Sequence, residues 1–270
     1  MAIIHKILNT LPFFRGKLRL ARFLVPNQKQ RAKFKTKDGM LFSVPNLVEN
    51  VSFELYVNGI YEKETIDHIC MSVPKNGVFV DVGANIGAIS IAVAKKRPDL
   101  NIFAFEASPI VFNYLRENKE QNNCLNLTIY NLAIHDIGGI ELPFFSPKEL
   151  NGKGSFAPVF TDEAVMVTTI SLDDFFTKER LTPHFIKIDV EGYELSVLRS
   201  MKLFLTVNAE CPVLFEFGDW TELAAGFEIG SAQIFLKELG YSLYTFPHEK
   251  VIKTPLEKGA EMILAKKCEL

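Results

Sequence analysis

A glycine-rich loop follows an apolar run of the chain and has the spacing of a ligand-binding turn. Residues 81–87 read Asp-Val-Gly-Ala-Asn-Ile-Gly and overlap the end of the run 77–82. Gly83 allows a sharp turn of the backbone, and Gly87 allows the following helix to pack closely on the strand. Such a loop places a ligand against the amides at the start of a helix. The alternative is an ordinary tight turn between a strand and a helix.

A carboxyl group at the end of the next predicted strand favours a nucleoside ligand. Glu106 ends the run 101–106 and lies 25 residues after Asp81. In a doubly wound sheet both acids lie at the carboxyl edge of neighbouring strands, where a carboxylate can bind a ribose diol. Asn85 stands where a nicotinamide dinucleotide site has its middle glycine, and its side chain would crowd a diphosphate. A ligand without phosphates fits better, and S-adenosylmethionine is such a ligand.

Two further acids are the candidates for proton transfer. Asp189 and Glu191 lie at the end of the predicted strand 184–190. Two residues apart, they share one face if the strand is still extended there. We expect Asp189 to be the base or to orient the acceptor, with Glu191 as its partner. The alternative for Glu191 is that it caps the following helix. Lys187 is expected to neutralise these acids rather than to act as a base.

A metal site is a lesser alternative at the same strand ends. Glu216 ends the run 212–217, and with Asp189 and Glu191 it offers oxygen atoms of the kind that Mg²⁺ binds. No spacing motif supports such a site, so no metal ligand is predicted.

The cysteines favour a reducing compartment, so a cytoplasmic location is expected. They are far apart and form neither a zinc motif nor a disulfide scaffold. The cysteines are Cys70, Cys124, Cys211 and Cys268. No apolar run approaches the roughly 20 residues of a membrane span, and we interpret the N-terminus as neither a signal peptide nor an anchor.

The elements that position these side chains alternate between strand and helix. Apolar runs at 77–82, 101–106 and 127–134 predict strands, with amphipathic helices between them. This order predicts an α/β fold with a doubly wound, mostly parallel sheet and helices on both faces.

The outer parts of the chain differ from this alternation. Residues 1–58 predict a basic helical arm and a hairpin, and 59–270 the α/β domain. Within that domain, an insertion at about 138–172 predicts antiparallel strands around the loop 151–155. That loop is a candidate lid over the substrate, or an ordinary hairpin loop.

Five blocks of sequence follow one another in a recognisable order. The blocks are GIYE with VFVDVGANIG (59–62 and 78–87), AFEASP (104–109), NLAIHDIGG (131–139), TTISLDDFF (168–176) and IKIDVEGYE (186–194). In this order and spacing the chain resembles the FkbM family of S-adenosylmethionine-dependent methyltransferases. The resemblance extends from about Tyr61 to Phe217, and Ala107 stands where the family usually has proline.

The resemblance implies a class I methyltransferase fold with a seven-stranded sheet, and O-methylation of sugars, lipo-oligosaccharides or polyketide-like hydroxyls. It places the loop 81–87 around the methionine part of the cofactor and Glu106 on its ribose. The loop residues expected there are Asp81, Gly83, Ala84, Asn85 and Gly87. Near the adenine, the resemblance places Asn131 with Ala107 and Ala133.

Charge is unevenly distributed along the 270 residues. Residues 1–37 hold ten basic side chains and no acid, and the rest of the chain has 20 basic and 32 acidic residues, a net charge of −12. An acidic body repels phosphate backbones, so a small-molecule or glycan-like acceptor is expected and a nucleic acid is not. The arm is expected to pack on the body or on a second subunit. Contact of residues 1–30 with an anionic membrane is the alternative.

Two other functions stay open at this point. One is a non-catalytic scaffold that binds S-adenosylmethionine and uses the basic arm for a membrane or a partner. The other is a nicotinamide-dependent oxidoreductase, against which Asn85 is the main argument.

Overall fold

A computed structural model describes residues 2–147, 154–158, 161–208 and 210–267. Within these ranges, the helices are α1 (Ala2–Thr10), α2 (Lys17–Leu24), α3 (Asn50–Asn58), α4 (Lys63–Ser72), α5 (Ala88–Lys96), α6 (Pro109–Gln121), α7 (Leu172–Glu179), α8 (Glu194–Ser200), α9 (Lys202–Val207), α10 (Asp219–Ala224) and α11 (Ser231–Glu238). The strands are β1 (Ala32–Lys35), β2 (Leu41–Val44), β3 (Val78–Val82), β4 (Asn101–Phe105), β5 (Leu127–Tyr130), β6 (Ala133–Ile134), β7 (Glu141–Phe145), β8 (Ala164–Ile170), β9 (Phe185–Ile188), β10 (Val213–Gly218), β11 (Ser242–Thr245) and β12 (Ala260–Lys266).

Seven of the described strands form the central sheet, in the order β11-β12-β10-β9-β3-β4-β5. Neighbouring strands from β5 to β10 are parallel, whereas β12 runs antiparallel to both β10 and β11. The chain leaves β3 towards β4 on one side and returns to β9 on the other, which creates a crevice at the carboxyl ends of β3 and β9. The predicted doubly wound, mostly parallel seven-stranded sheet is confirmed.

The sheet is buried because helices cover both of its faces. Successive residues of a strand point to opposite faces, and Phe79 and Val80 of β3 accordingly lie in different apolar cores. Phe185 and Ile186 of β9 divide in the same way. A strand buried on both sides is mostly apolar along its whole length, which is why these strands could be recognised in the sequence although each contains one charged residue, Asp81 in β3 and Lys187 in β9.

The N-terminal segment packs on the body instead of forming a core of its own. Leu8, Phe34 and Phe42 belong to the same apolar cluster as Phe79. The hairpin predicted within residues 1–58 is present as β1–β2. Asn118 of α6 joins it to the body: its Oδ1 accepts a hydrogen bond from the Ser43 amide at 2.7 Å, and its Nδ2 donates to the Ser43 carbonyl at 3.1 Å. The division of the chain at residue 58 stays a prediction.

One local expectation was wrong, and one helix was not predicted. The run 127–134 forms two strands, not one: β5 stays in the central sheet, while β6 pairs with β8. Helix α3 was not predicted, since its apolar residues lack a clear helical period. Helix α5 follows the glycine-rich loop and begins at Ala88, because Gly87 has a φ of +86° and lies just before the helix.

The insertion contains the antiparallel pair β7–β8, as expected. The centre of the predicted lid loop, 151–153, lies outside the described residues. Among the described helices, none is long and apolar enough to span a membrane.

Candidate active site

A cavity of about 290 Å³ opens at the carboxyl edge of the central sheet. Loops after β3, β4, β9 and β10 form its walls, and residues 132–134 and the insertion contribute to one side. This is the crevice that the reversal of strand order creates, where doubly wound sheets bind their ligands. Its volume is close to the lower end of ligand pockets, roughly 300 Å³.

The loop after β3 is built around a close approach that only glycine permits. Gly83 has a φ of +79°, and a Cβ atom added there would lie 1.8 Å from the backbone oxygen of Asp189. The loops after β3 and β9 therefore touch at Gly83. Asn85 follows with a φ of +52°, and its Oδ1 accepts a hydrogen bond from the Ile86 amide at 2.8 Å. Both Gly83 and Asn85 line the cavity.

Glu106 lines the cavity from the end of β4, and backbone amides fix its position. One carboxyl oxygen accepts from the Asn85 amide at 2.9 Å, and the other from the Ser108 amide at 2.8 Å. Burial raises the pKa of Glu106 to about 7, although these two hydrogen bonds oppose the rise. Each oxygen has a further lone pair, so the carboxylate can still accept hydrogen bonds from a diol.

Ala107 and Ala133 line the cavity next to Glu106 and give that end an apolar surface. Asn131 has a different position from the one expected. Its side chain is directed at the backbone, where Nδ2 donates to the carbonyl oxygens of Glu106 at 2.8 Å and Ala107 at 3.0 Å. Asn131 thus holds the strand-end loop from outside the cavity lining.

Asp81 lies beneath the cavity, not in its lining. Its side chain is 1% exposed, and its carboxylate accepts a hydrogen bond from the Ser90 hydroxyl of α5. Ala84 and Gly87 are likewise absent from the lining. The resemblance implied that Asp81, Ala84 and Gly87 surround the methionine part of a cofactor. Their positions instead indicate that they support the loop after β3 from behind the cavity. The sequence could not show this, because an acid at a strand end can point along the strand or into the sheet.

Lys187 is a buried cation between the two strands that border the crevice. Its Nζ lies 3.2 Å from Oδ2 of Asp189 and 3.6 Å from Oδ1 of Asp81. Burial lowers the pKa of Lys187, but the carboxylates of Asp189 and Asp81 outweigh burial and raise it. Lys187 is therefore charged and neutralises the acids, as the sequence suggested, and it is not a neutral base.

Asp189 and Glu191 both line the cavity, but not for the reason given by the sequence. Strand β9 ends at Ile188, so the shared face of an extended strand does not exist. A turn brings the two acids together instead, and Glu191 within it has a φ of +53°. Glu191 is not the N-cap of α8, which is Tyr193, and Oε1 of Glu194 accepts a hydrogen bond from the Val190 amide at 3.0 Å within the same turn.

Glu216 and Glu62 complete the acidic wall of the cavity. Burial raises the pKa of Glu216 to about 10, and the nearby Asp189 adds to the rise, so Glu216 is protonated at neutral pH. Burial also raises the pKa of Glu62, which has a φ of +43° and accepts a hydrogen bond from the Thr65 hydroxyl at 2.9 Å. Glu62 was missed as a site residue. Its block GIYE carried the family resemblance, but nothing in the residues assigned it a role.

The acids of this wall, as far as the structure describes them, are not clustered as metal ligands. Across the described ranges, no group of three or more His, Cys, Asp or Glu side chains is arranged to hold a metal ion. The alternative of a Mg²⁺ site at Asp189, Glu191 and Glu216 thus lacks geometric support.

The strand order, the antiparallel strand β12 and the cavity at the reversal define the class I, Rossmann-like methyltransferase fold. Sequence comparison identifies the family within this class. The Methyltransferase FkbM domain matches residues 81–243, more than half of the chain, so the chain belongs to the FkbM methyltransferase family.

Two curated relatives are similar to parts of the chain. The hexuronic acid methyltransferase AglP of Haloferax volcanii is 30% identical over 141 residues, 52% of this chain and 56% of AglP. The chain thus matches little more than half of that relative's length. Methyltransferase 1 of Beauveria bassiana is 26% identical over 56% of this chain and 70% of its own length.

Solved structures also align with the chain. A precorrin-6y C5,15-methyltransferase from Geobacter metallireducens aligns over 77% of this chain and 93% of its own, with 16% identity and a TM-score of 0.45. A structural similarity this low does not support a family assignment, which rests on the match to the FkbM domain.

Proposed function

We propose that this chain is an S-adenosylmethionine-dependent O-methyltransferase that acts on a hydroxyl group of a glycan-like acceptor. The observation that carries the proposal is a single cavity with two chemically different halves. The cofactor half contains Glu106 with Gly83 and Asn85. The acceptor half contains Asp189, Glu191 and the other acids. The two halves meet where Gly83 touches Asp189.

The cofactor half fits a nucleoside. Glu106 accepts hydrogen bonds from the two ribose hydroxyls, and Ala107 and Ala133 pack against the purine ring. The side chain of Asn85 would crowd a diphosphate at this position, which disfavours a nicotinamide dinucleotide. When bound, S-adenosylmethionine supplies a methyl group on a positively charged sulfur, which becomes a neutral thioether as the acceptor oxygen takes the methyl.

The acceptor half removes the proton of the hydroxyl group. In this proposal Asp189 accepts the proton as the oxygen–methyl bond forms. Lys187 holds the Asp189 carboxylate at 3.2 Å and keeps it directed at the cavity. Glu216, protonated at neutral pH, donates a hydrogen bond and so orients a neighbouring hydroxyl of the acceptor.

The charges of the cavity favour an acceptor without a carboxylate. Among the residues that the structure describes, its lining contains six acidic side chains and no Lys, Arg or His. The acids are Glu49, Glu62, Glu106, Asp189, Glu191 and Glu216. The described lining offers no cation that could pair with a carboxylate of the acceptor, so we propose a neutral or amino sugar, unlike the hexuronic acid in the name of AglP.

The first test is binding of S-adenosylmethionine and S-adenosylhomocysteine to the full chain by isothermal titration calorimetry. We expect both to bind and Glu106→Ala to weaken binding at least tenfold, since it removes the acceptor of two hydrogen bonds. Glu249→Ala, on the far β11–β12 side of the sheet, is the control. Absence of binding in folded protein contradicts the proposal.

The second test measures methyl transfer to a matched pair of acceptors. A p-nitrophenyl glucoside and the corresponding glucuronide differ only in the carboxylate. We expect transfer to the glucoside to exceed transfer to the glucuronide at least tenfold. A preference for the glucuronide refutes the neutral acceptor, and cofactor binding without transfer to any hydroxyl acceptor favours the non-catalytic scaffold.

A further inference from the structure

Helix α2 has large apolar side chains on the face that points to solvent. Leu20, Phe23 and Leu24 are exposed, and Phe23 is 82% exposed. Their spacing of three and four residues places them on one side of the helix. Ala21 is fully buried on the other side. The helix is thus already packed on the body through one face, and its second apolar face has no partner within the described residues.

The loop between α1 and α2 extends this exposed surface. Phe13 is 79% exposed, and Phe14 next to it is also exposed. We define the docking surface as Phe13, Phe14, Leu20, Phe23 and Leu24. Isolated exposed apolar residues are normal, but five large ones within twelve consecutive positions are typical of an interaction site.

Basic side chains surround the docking surface. Lys6, Arg15 and Arg19 are exposed, and within the described ranges their side chains form no hydrogen bond or ion pair. No acid occurs before Asp38. Some other basic residues of this segment have a partner within the protein: Arg31 pairs with Glu117 at 2.6 Å, and Nζ of Lys17 donates to the Leu11 carbonyl at 2.9 Å. The charge around the surface is therefore complementary to an anionic partner.

We propose that the docking surface binds the interface of a bilayer that contains anionic phospholipids. Phenylalanine and leucine insert at the boundary of headgroups and acyl chains, while arginine and lysine bind the phosphate groups. A nucleic acid would match the charge but not the five apolar side chains. A second copy of the chain would match the apolar residues but would bring the same positive charges together.

Arg22 connects this surface to the cavity. Its guanidinium lies 3.7 Å from the centre of the Phe53 ring and donates to the Leu47 carbonyl at 2.6 Å and to Oδ1 of Asn50 at 3.1 Å. Asn50 itself lines the cavity. Membrane binding would thus hold the cavity near the bilayer, where a lipid-linked acceptor lies. The docking surface itself does not depend on the proposed methyl transfer.

The test is co-sedimentation of the full chain with vesicles of phosphatidylcholine, alone or mixed with phosphatidylglycerol. We expect binding to the mixed vesicles and little to the neutral ones. Phe13→Ser combined with Phe23→Ser should lower the partition coefficient by roughly tenfold per side chain. Arg15→Gln combined with Arg19→Gln should lower it by roughly fivefold per charge. All four side chains are exposed, so folding should be unchanged by circular dichroism.

Matched controls use equally exposed side chains elsewhere. The first control combines Leu125→Ser with Leu203→Ser. Leu125 lies before β5 and Leu203 lies in α9, and both side chains are at least 71% exposed. Lys178→Gln with Lys202→Gln removes two exposed charges. We expect neither control to change binding. The proposal is overturned if the wild-type chain does not bind anionic vesicles, or if the control variants lose as much binding as the variants of the docking surface. It is also overturned if light scattering shows a dimer that Phe23→Ser dissociates.

Discussion

The two halves of the cavity are held in place by different forces. In the cofactor half, backbone geometry dominates: Gly83 permits the contact of two loops, and main-chain amides fix Glu106. In the acceptor half, side-chain charges dominate: Lys187 pairs with Asp189, and burial shifts the pKa of Glu216 upward. The first half should respond to steric changes and to the protonation of Glu106, and the second half to changes of side-chain charge.

The largest effect is expected from Gly83→Ala. The added methyl group would lie 1.8 Å from a backbone oxygen that cannot move alone. We expect the free energy of unfolding to fall by roughly 3 kcal/mol and cofactor binding to be lost. Gly139→Ala is the control, since Gly139 has a φ of +77° but no atom within 4 Å of the added Cβ. Equal losses of melting temperature in both variants would show that backbone strain, and not the contact of the loops, matters.

Asp189→Asn should lower turnover in the acceptor half without weakening binding in the cofactor half. The variant keeps the shape of the side chain but cannot accept a proton, so kcat should fall roughly 100-fold or more. The cofactor half keeps its amides, so the dissociation constant for S-adenosylhomocysteine should stay within about threefold. Turnover and calorimetry on the same preparation measure both. A loss of binding equal to the loss of kcat would contradict the division of the cavity.

Cofactor affinity should depend on pH through Glu106. Its pKa of about 7 means that the carboxylate is protonated below that value in the free protein. Ribose hydroxyls donate to the ionised form, so affinity should fall roughly tenfold per pH unit below 7. Titrations at pH 6 and pH 8 test this, with Glu106→Gln as the variant that should bind weakly and equally at both. An unchanged wild-type affinity would refute the role of Glu106.

The smallest effect concerns stability in the acceptor half. The folded-state pKa of Glu216 is raised to about 10, above its unfolded value, so its contribution to stability is present at low pH. That contribution decreases as pH rises from about 4.5 towards 10. Glu216→Gln has no proton to lose, so its melting temperature relative to wild type should increase by a few degrees from pH 5 to pH 8. A constant difference would argue against a buried, protonated Glu216.

Sequence reasoning recovered the parts of the molecule that depend on local patterns. The buried strands β3, β4 and β9 read as apolar runs, and the glycine-rich loop with Glu106 identified the cofactor half. Glu191 lines the expected cavity, but the argument that it shares a strand face with Asp189 was wrong, because β9 ends at Ile188. Where a strand ends depends on its neighbours in the sheet, which the local sequence does not show. The same limit applies to Asp81, whose side-chain direction depends on Ser90 and Lys187, residues distant in sequence.

The unpredicted helix α3 and the side chain of Glu62 illustrate a second limit. Helix α3 forms because the N-terminal segment and the body enclose it, with Phe53, Leu55 and Tyr56 buried on several sides. No single periodic face exists for the sequence to reveal. Glu62 becomes part of the site only when a left-handed backbone conformation directs it at the cavity.

The buried cation between β3 and β9 also constrains how this chain can evolve. Lys187 of β9 contacts two carboxylates, those of Asp81 in the neighbouring strand β3 and of Asp189 in the loop after β9. Loss of Lys187 alone leaves a buried carboxylate without a counter-charge, at a cost of roughly 3–5 kcal/mol. Loss of Asp81 alone leaves the lysine with less compensation in the interior. Substitutions at these three positions are therefore tolerated in concert, and we expect them to covary among homologous sequences as one unit.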